Sequence, residues 1–90
     1  MYVLELAFSP SSRRLAARSA HRQRLVELHE QGVLVQAGPW QDGTGALLVF
    51  DTDAQGVADI IAADPYYRTD GVTVVALRRW QPVVGAGAAP

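Results

Sequence analysis

The sequence predicts a single α+β domain in which two helices cover one face of a four-stranded antiparallel sheet. The composition, 49% hydrophobic and 19% charged, is that of a globular domain. Strand-like and helix-like segments follow one another in the order β-α-β-β-α-β. Because 90 residues support only one hydrophobic core, we predict one domain over residues 1–82 and a flexible tail over residues 83–90.

The first half of the chain reads as a strand, a long helix and a second strand. Residues Tyr2 to Phe8 are apolar at nearly every position, which predicts a strand covered on both faces. After a break rich in serine, Ser12 to Gln31 is dense in good helix formers and is followed by a glycine stop. Val33 to Ala37 is predicted as the second strand, since Gly38-Pro39 lacks the amide donor of a regular ladder.

The second half supplies the remaining hairpin strand, a helix and a last strand. A glycine-rich loop turns the chain, so Ala46 to Phe50 is expected to pair with the second strand. Thr52 or Asp53 can cap a helix over about Ala54 to Ala63, which has one apolar face. Val72 to Trp80 is the fourth strand. This order is that of the ferredoxin-like fold, with both helices on the same side of the sheet.

The face of the sheet away from the helices is also predicted to be apolar. The third and fourth strands are apolar in both registers, whereas a sheet with one wet face alternates. A second copy of the chain is the simplest surface to cover such a face. We therefore expect a homodimer that packs sheet against sheet.

Composition excludes several classes of function. The chain has no cysteine, which rules out disulfides, thiolate metal sites and a cysteine nucleophile. Its amino-terminal residues lack the features of a signal peptide, and no apolar run is long enough for a membrane span, so a cytoplasmic location without membrane contact is expected.

A cluster of basic residues in the first helix raises the question of a nucleic-acid-binding role: Arg13, Arg14, Arg18, Arg22 and Arg24. A solvated helix face is the commoner meaning of such a cluster, and we expect no nucleic-acid partner.

His21 is the first candidate for chemistry. On a helical wheel it shares a stripe with Ala17, Leu25 and Leu28, which should face the sheet. A lone histidine on an apolar stripe is usually a core-edge residue that donates to a backbone carbonyl. A catalytic interpretation requires a partner that fixes the ring.

Asp64 is the candidate partner, with two explanations open. It lies at the last turn of the second helix, where the helix dipole disfavours a carboxylate. Locally, Asp64-Pro65 is a good start for a short helical turn and needs no function. Alternatively, His21 approaches from the first helix and forms a His-Asp pair.

Other polar and aromatic residues are further candidates for the site. His29 together with His21 and one aspartate suggests a metal site, but the spacing matches no ligand motif. Trp40 and Tyr66 adjoin the rigid Gly38-Pro39 and Asp64-Pro65 breaks, where pockets tend to form. Neither a metal nor another cofactor is expected.

Three segments resemble the characteristic blocks of the YciI-like, or YCII-related, family: Ser19 to Leu25, Ala37 to Pro39, and Ala62 to Tyr66. With the strand order, the similarity spans about residues 1–81. The resemblance implies a dimeric α+β barrel and a His-Asp pair in a cleft between helices and sheet, which falls on His21 and Asp64. One branch of that family is known for dehydrochlorination of a chlorinated hydroxyquinol.

Two functions follow as hypotheses. The first is a small cofactor-independent lyase or isomerase acting on a cyclic or phenolic substrate, with His21 and Asp64 as the acid-base pair. The second is a non-catalytic dimeric module that binds a small molecule or assists another enzyme. In both, the expected substrate-binding residues are Arg18, Arg22, Gly38, Pro39, Trp40, Pro65 and Tyr66.

Overall fold

The computed structural model describes residues 1–88. Its elements are β1 (Tyr2–Phe8), α1 (Ser12–Glu30), β2 (Leu34–Pro39), β3 (Gly45–Phe50), α2 (Ala54–Ala63), a 3-10 helix (Pro65–Arg68) and β4 (Val72–Arg79). The strands form one antiparallel sheet in the order β2-β3-β1-β4. The predicted ferredoxin-like α+β fold is therefore confirmed. The end of the predicted tail, residues 89–90, lies outside the described residues.

The second strand runs two residues further than the sequence predicted. Pro39 pairs with Ala46 instead of ending the ladder. The reason is that β2 is an edge strand and successive backbone amides point to opposite sides. The amide of Trp40 donates to the carbonyl of Gly45 at 2.8 Å, so the nitrogen of Pro39 faces away from the sheet and needs no acceptor.

The core lies between the helices and one face of the sheet. In the middle of the two central strands, buried residues alternate with half-buried ones, as the pleat requires. The 3-10 helix adds two buried tyrosines, and α2 adds one valine. The buried apolar residues are Leu4, Leu6, Leu34, Ala46, Leu48, Phe50, Val57, Tyr66 and Tyr67.

The opposite face of the sheet is open in the single chain. Val3 pairs with Val49, and Glu5 pairs with Leu47, so these four side chains share that face. All four are only half-buried, so within the single chain β1 is covered on one face, and the predicted cover of its second face would have to come from another molecule. The edge strand β4 is less covered on both sides: Leu77, which pairs with the core residue Leu4, is exposed, as is Val75 at the bulge.

Two further features concern the helices and the segment that follows β4. Across residues 1–88, each helix falls short of the length and apolarity needed for a bilayer crossing. After β4, the amide of Trp80 donates to the carbonyl of Met1 at 2.8 Å. Pro82 is buried, whereas Val83 and Val84 are exposed.

Candidate functional site

Helix α1 places His21 against the core. The hydroxyl of Ser11 caps the helix by accepting from the amide of Arg14. The predicted stripe is present, because Ala17, Leu25 and Leu28 pack against the core cluster. His21 lies on this stripe and is only 7% exposed. Its ring is therefore largely withdrawn from water.

Asp64 lies at the junction of α2 and the 3-10 helix and has two partners. Its Oδ1 accepts from the amide of Tyr66 at 3.0 Å, which caps the 3-10 helix. Its Oδ2 accepts from Nδ1 of His21 at 2.7 Å. The two explanations of this residue are thus both correct, because each carboxylate oxygen serves one of them. With both oxygens occupied, a carboxylate that is 5% exposed is satisfied.

The environment of His21 sets its protonation. Burial lowers the pKa of the imidazole below its ordinary value of 6.5, against the opposing effect of Asp64, while Arg22 lowers it further. The ring is therefore neutral near pH 7. Since a carboxylate accepts the bond at Nδ1, that nitrogen carries the proton and Nε2 carries the lone pair.

The lone pair on Nε2 of His21 is not used in a hydrogen bond within the described residues. This atom has no hydrogen-bond partner within residues 1–88. In the same part of the chain, the fully buried and unpartnered side-chain polar atoms are Nε of Arg14 and Oη of Tyr67. Nε2 of His21 is not one of them, so this atom is not completely buried. His21 is one of the residues that line the cavity described below.

Two tyrosines hold the imidazole in place. The ring of Tyr66 stacks on His21 with centroids 3.9 Å apart and an interplanar angle of 6°. Tyr67 meets the same ring edge to face at 5.3 Å. Phe8 then packs edge-on against Tyr66 at 6.4 Å. These contacts and the bond to Asp64 leave the imidazole little freedom to rotate.

Tyr67 was not identified from the sequence. It is 4% exposed, and its hydroxyl lacks a partner among the described residues. Burial raises its pKa, with a further contribution from the charge of Asp64, so the phenol stays neutral. Because Tyr66 and Tyr67 are adjacent and of the same type, the sequence does not indicate which ring stacks on His21 and which meets its edge.

A cavity of about 800 Å³ lies beside the histidine, between α1 and the β2-β3 edge of the sheet. His21 lines it. Most of the predicted substrate-binding residues do too, namely Arg18, Arg22, Gly38, Pro39, Trp40 and Tyr66. Pro65 does not line the cavity; it opens the 3-10 helix, where proline loses no hydrogen bond. Asp64 does not line the cavity, but it bonds to two residues that do, His21 and Tyr66.

The fixed charges that line the cavity are all positive. Arg18 and Arg22 are the fixed charges among its lining residues, and no lining residue is a carboxylate. Most of the remaining wall is aliphatic and comes from α1, β2 and β3. The sequence did not single out the β2 wall, residues 34–37, because an exposed edge strand and a cavity wall have the same residue pattern.

His29 lines the same cavity and was considered only as a metal ligand. Its Nδ1 bonds to the carbonyl oxygen of Leu34 at 2.8 Å. Within residues 1–88, no group of three or more His, Cys, Asp or Glu side chains is arranged to hold a metal ion. Each histidine of α1 instead uses its Nδ1 on an oxygen of the chain itself.

Fold and site together define a small α+β domain with a buried His-Asp pair at the wall of an open cavity. The profile of the YCII-related domain matches residues 1–81. The chain therefore belongs to the YCII-related family, as the three sequence blocks predicted. A comparison with curated proteins finds no match.

Proposed function

We propose that the protein is a cofactor-independent enzyme of the lyase or isomerase type that acts on a small cyclic or phenolic substrate. One observation carries the proposal. Oδ2 of Asp64 accepts from Nδ1 of His21 at 2.7 Å, while Nε2 has no hydrogen-bond partner among the described residues and His21 lines the cavity. A neutral imidazole with an oriented, available lone pair is the usual general base near neutral pH.

In this proposal His21 accepts a proton and Asp64 supports the charge that results. In an elimination, Nε2 takes a proton from the substrate, the electrons of that bond form the new double bond, and the leaving group departs with its bonding pair. In an isomerisation, the imidazolium returns the proton to another carbon. Asp64 stabilises the imidazolium in both cases, in a site with little water to screen the pair.

The arginines at the cavity favour an anionic substrate. Arg18 precedes His21 by about one turn, and Arg22 follows it directly. Both arginines therefore lie at the His21 end of the cavity. A guanidinium binds phenolate or carboxylate oxygen strongly. The cavity volume is within the range of small-molecule sites. Family membership is consistent with a phenolic substrate, since the resemblance includes a dehydrochlorinating branch.

The decisive experiment replaces the base and keeps its anchor. In His21→Asn, the side-chain amide nitrogen can still donate to Asp64, but no atom replaces Nε2. We expect turnover of chlorinated hydroxyquinols or unsaturated lactones, whichever the wild type accepts in a screen, to fall by about 10² or more. The melting temperature should stay close to that of the wild type. Turnover that survives this substitution would remove His21 from the mechanism.

A second candidate is a non-catalytic module that binds a small molecule. The packing of Tyr66 flat on His21 favours it, because a stacked and buried pair also serves stability alone. This alternative predicts ligand binding in the same cavity without any product. Calorimetry and product analysis on the same wild-type sample separate the two functions.

We also propose that the protein works as a homodimer through the open face of the sheet. Val3, Leu47 and Val49 supply apolar surface there, and Glu5 lies among them. A Leu47→Asp variant should dissociate, because it buries a second carboxylate beside Glu5 in the interface. Sedimentation at micromolar concentration tests this. A wild-type protein that is folded and monomeric there contradicts the proposal.

A further inference from the structure

We propose that His29 binds the far end of the substrate, so that the cavity takes an elongated molecule with a hydrogen-bonding group at each end and an apolar body between them. The inference rests on the proposed function for placing the reacting end at His21. It does not depend on that function for the role of His29. The substrate class it defines is an aromatic or alicyclic anion with a hydroxyl group at the opposite end.

The first support is the fixed orientation of the second imidazole. Nδ1 of His29 lies 2.8 Å from the carbonyl oxygen of Leu34, and a carbonyl can only accept. Nδ1 therefore carries a proton, and the ring nitrogen left for a ligand is Nε2. Because Nδ1 and Nε2 lie on different sides of the ring, the bond to Leu34 leaves Nε2 free to accept from a ligand.

The second support is the position of the two histidines on one wall. His21 and His29 both line the cavity and are eight residues apart on α1. At the rise of an α-helix, this spacing is about 12 Å along the axis. The cavity thus has an imidazole toward each end of its helical wall.

The third support is the polarity of the wall between them. Leu25 and Val26 line the cavity between the two histidines, and Val35 and Ala37 line it from β2. Both lining arginines lie at the His21 end, and none lies near His29. An anionic group is therefore favoured at His21, an apolar body in the middle, and an uncharged donor such as a hydroxyl at His29.

The experiment compares two probes that differ only at the far end. They are 4′-hydroxybiphenyl-4-carboxylate and biphenyl-4-carboxylate, and binding to the full chain is measured by calorimetry. The matched variant is His29→Asn, whose amide nitrogen can keep the bond to the carbonyl of Leu34 but which has no atom at the position of Nε2. We expect the wild type to bind the hydroxylated probe about tenfold more tightly, the value of one hydrogen bond. In His29→Asn this preference should disappear.

Histidine nitrogen spectra supply the second readout. On addition of the hydroxylated probe, the Nε2 resonance of His29 should shift, and with the other probe it should not. A preference that persists in His29→Asn, equal affinities in the wild type, or no binding of either probe at millimolar concentration overturns the inference. In His21→Asn the preference should remain while turnover is lost. Turnover that survives in His21→Asn contradicts only the catalytic proposal, and a preference that persists in His29→Asn contradicts only the binding one.

Discussion

The two histidines lie on the same helix, α1, yet their surroundings give the two rings different chemical capabilities. Nδ1 of His21 meets a buried carboxylate at 2.7 Å, whereas Nδ1 of His29 meets a neutral carbonyl at 2.8 Å on an exposed part of the helix. Either oxygen fixes the tautomer. Only the carboxylate can also stabilise a positive charge on the ring when Nε2 takes a proton. Partner charge and burial, more than the residue type, therefore distinguish a candidate base from a binding group.

The largest expected effect comes from neutralising the partner of His21. In Asp64→Asn, the amide can present its NH₂ group to Nδ1, which moves the ring proton to Nε2 and removes the lone pair from the cavity. We expect turnover to fall by about 10² to 10⁴, as for tautomer reversal in catalytic triads. The histidine nitrogen spectrum of the variant measures the tautomer directly. An Nδ1–H tautomer with low activity would show that the charge of Asp64, and not the orientation it imposes, is what matters.

Removing each imidazole should affect stability unequally. His21→Ala leaves the buried carboxylate of Asp64 without one partner and opens a cavity under α1, and we expect a loss of roughly 3 kcal/mol in the free energy of unfolding. His29→Ala removes one part-buried bond to a backbone carbonyl and should cost about 1 kcal/mol. Urea unfolding of both variants tests the difference. Equal losses would mean that the His21-Asp64 pair contributes no more than an ordinary hydrogen bond.

The lowered pKa of His21 predicts a dependence of stability on pH. Because the folded ring resists protonation, the unfolded chain binds more protons below pH 6.5, and folding is disfavoured there. The contribution of His21 to the free energy of unfolding is constant above about pH 6.5. It declines as the pH falls toward the lowered pKa of the folded state and then levels off. Carboxylates also titrate in acid, so the useful quantity is the difference between the wild type and His21→Asn. A difference that stays flat from pH 7.5 to pH 4.5 would show that burial does not control this ring.

The smallest effect is expected from the ring that stacks on His21. Tyr66→Leu keeps an apolar side chain but loses the flat contact at 3.9 Å, so the imidazole should become more mobile. We expect about a tenfold loss of turnover. Tyr66→Phe, which keeps the ring, is the matched control and should stay near wild type. If Tyr66→Phe is as damaged as Tyr66→Leu, the hydroxyl of Tyr66 acts on the ligand and the stack is secondary.

Much of the fold was predictable because its signals are local. The order of the elements, the apolar stripe of α1 and the capping residues follow from spacing over a few residues. The end of β2 was misplaced because the direction of one proline nitrogen depends on which side of the strand has a partner. Cover on both faces of β1 stays a prediction, since the single chain covers one face and apolar sequence does not reveal whether the second surface belongs to the same chain.

For the site, the sequence determined the residue types and their places on the elements: an imidazole on the buried side of a helix and a carboxylate at a helix end. It also suggested their pairing through a family resemblance. Only the tertiary structure decided that atoms 43 positions apart meet at 2.7 Å. It also decided that Asp64 serves a cap and a histidine together, and that His29 shares the cavity. The physical reason is that hydrogen-bond geometry and cavity shape depend on how α1, β2 and the 3-10 helix are packed, which no local periodicity specifies.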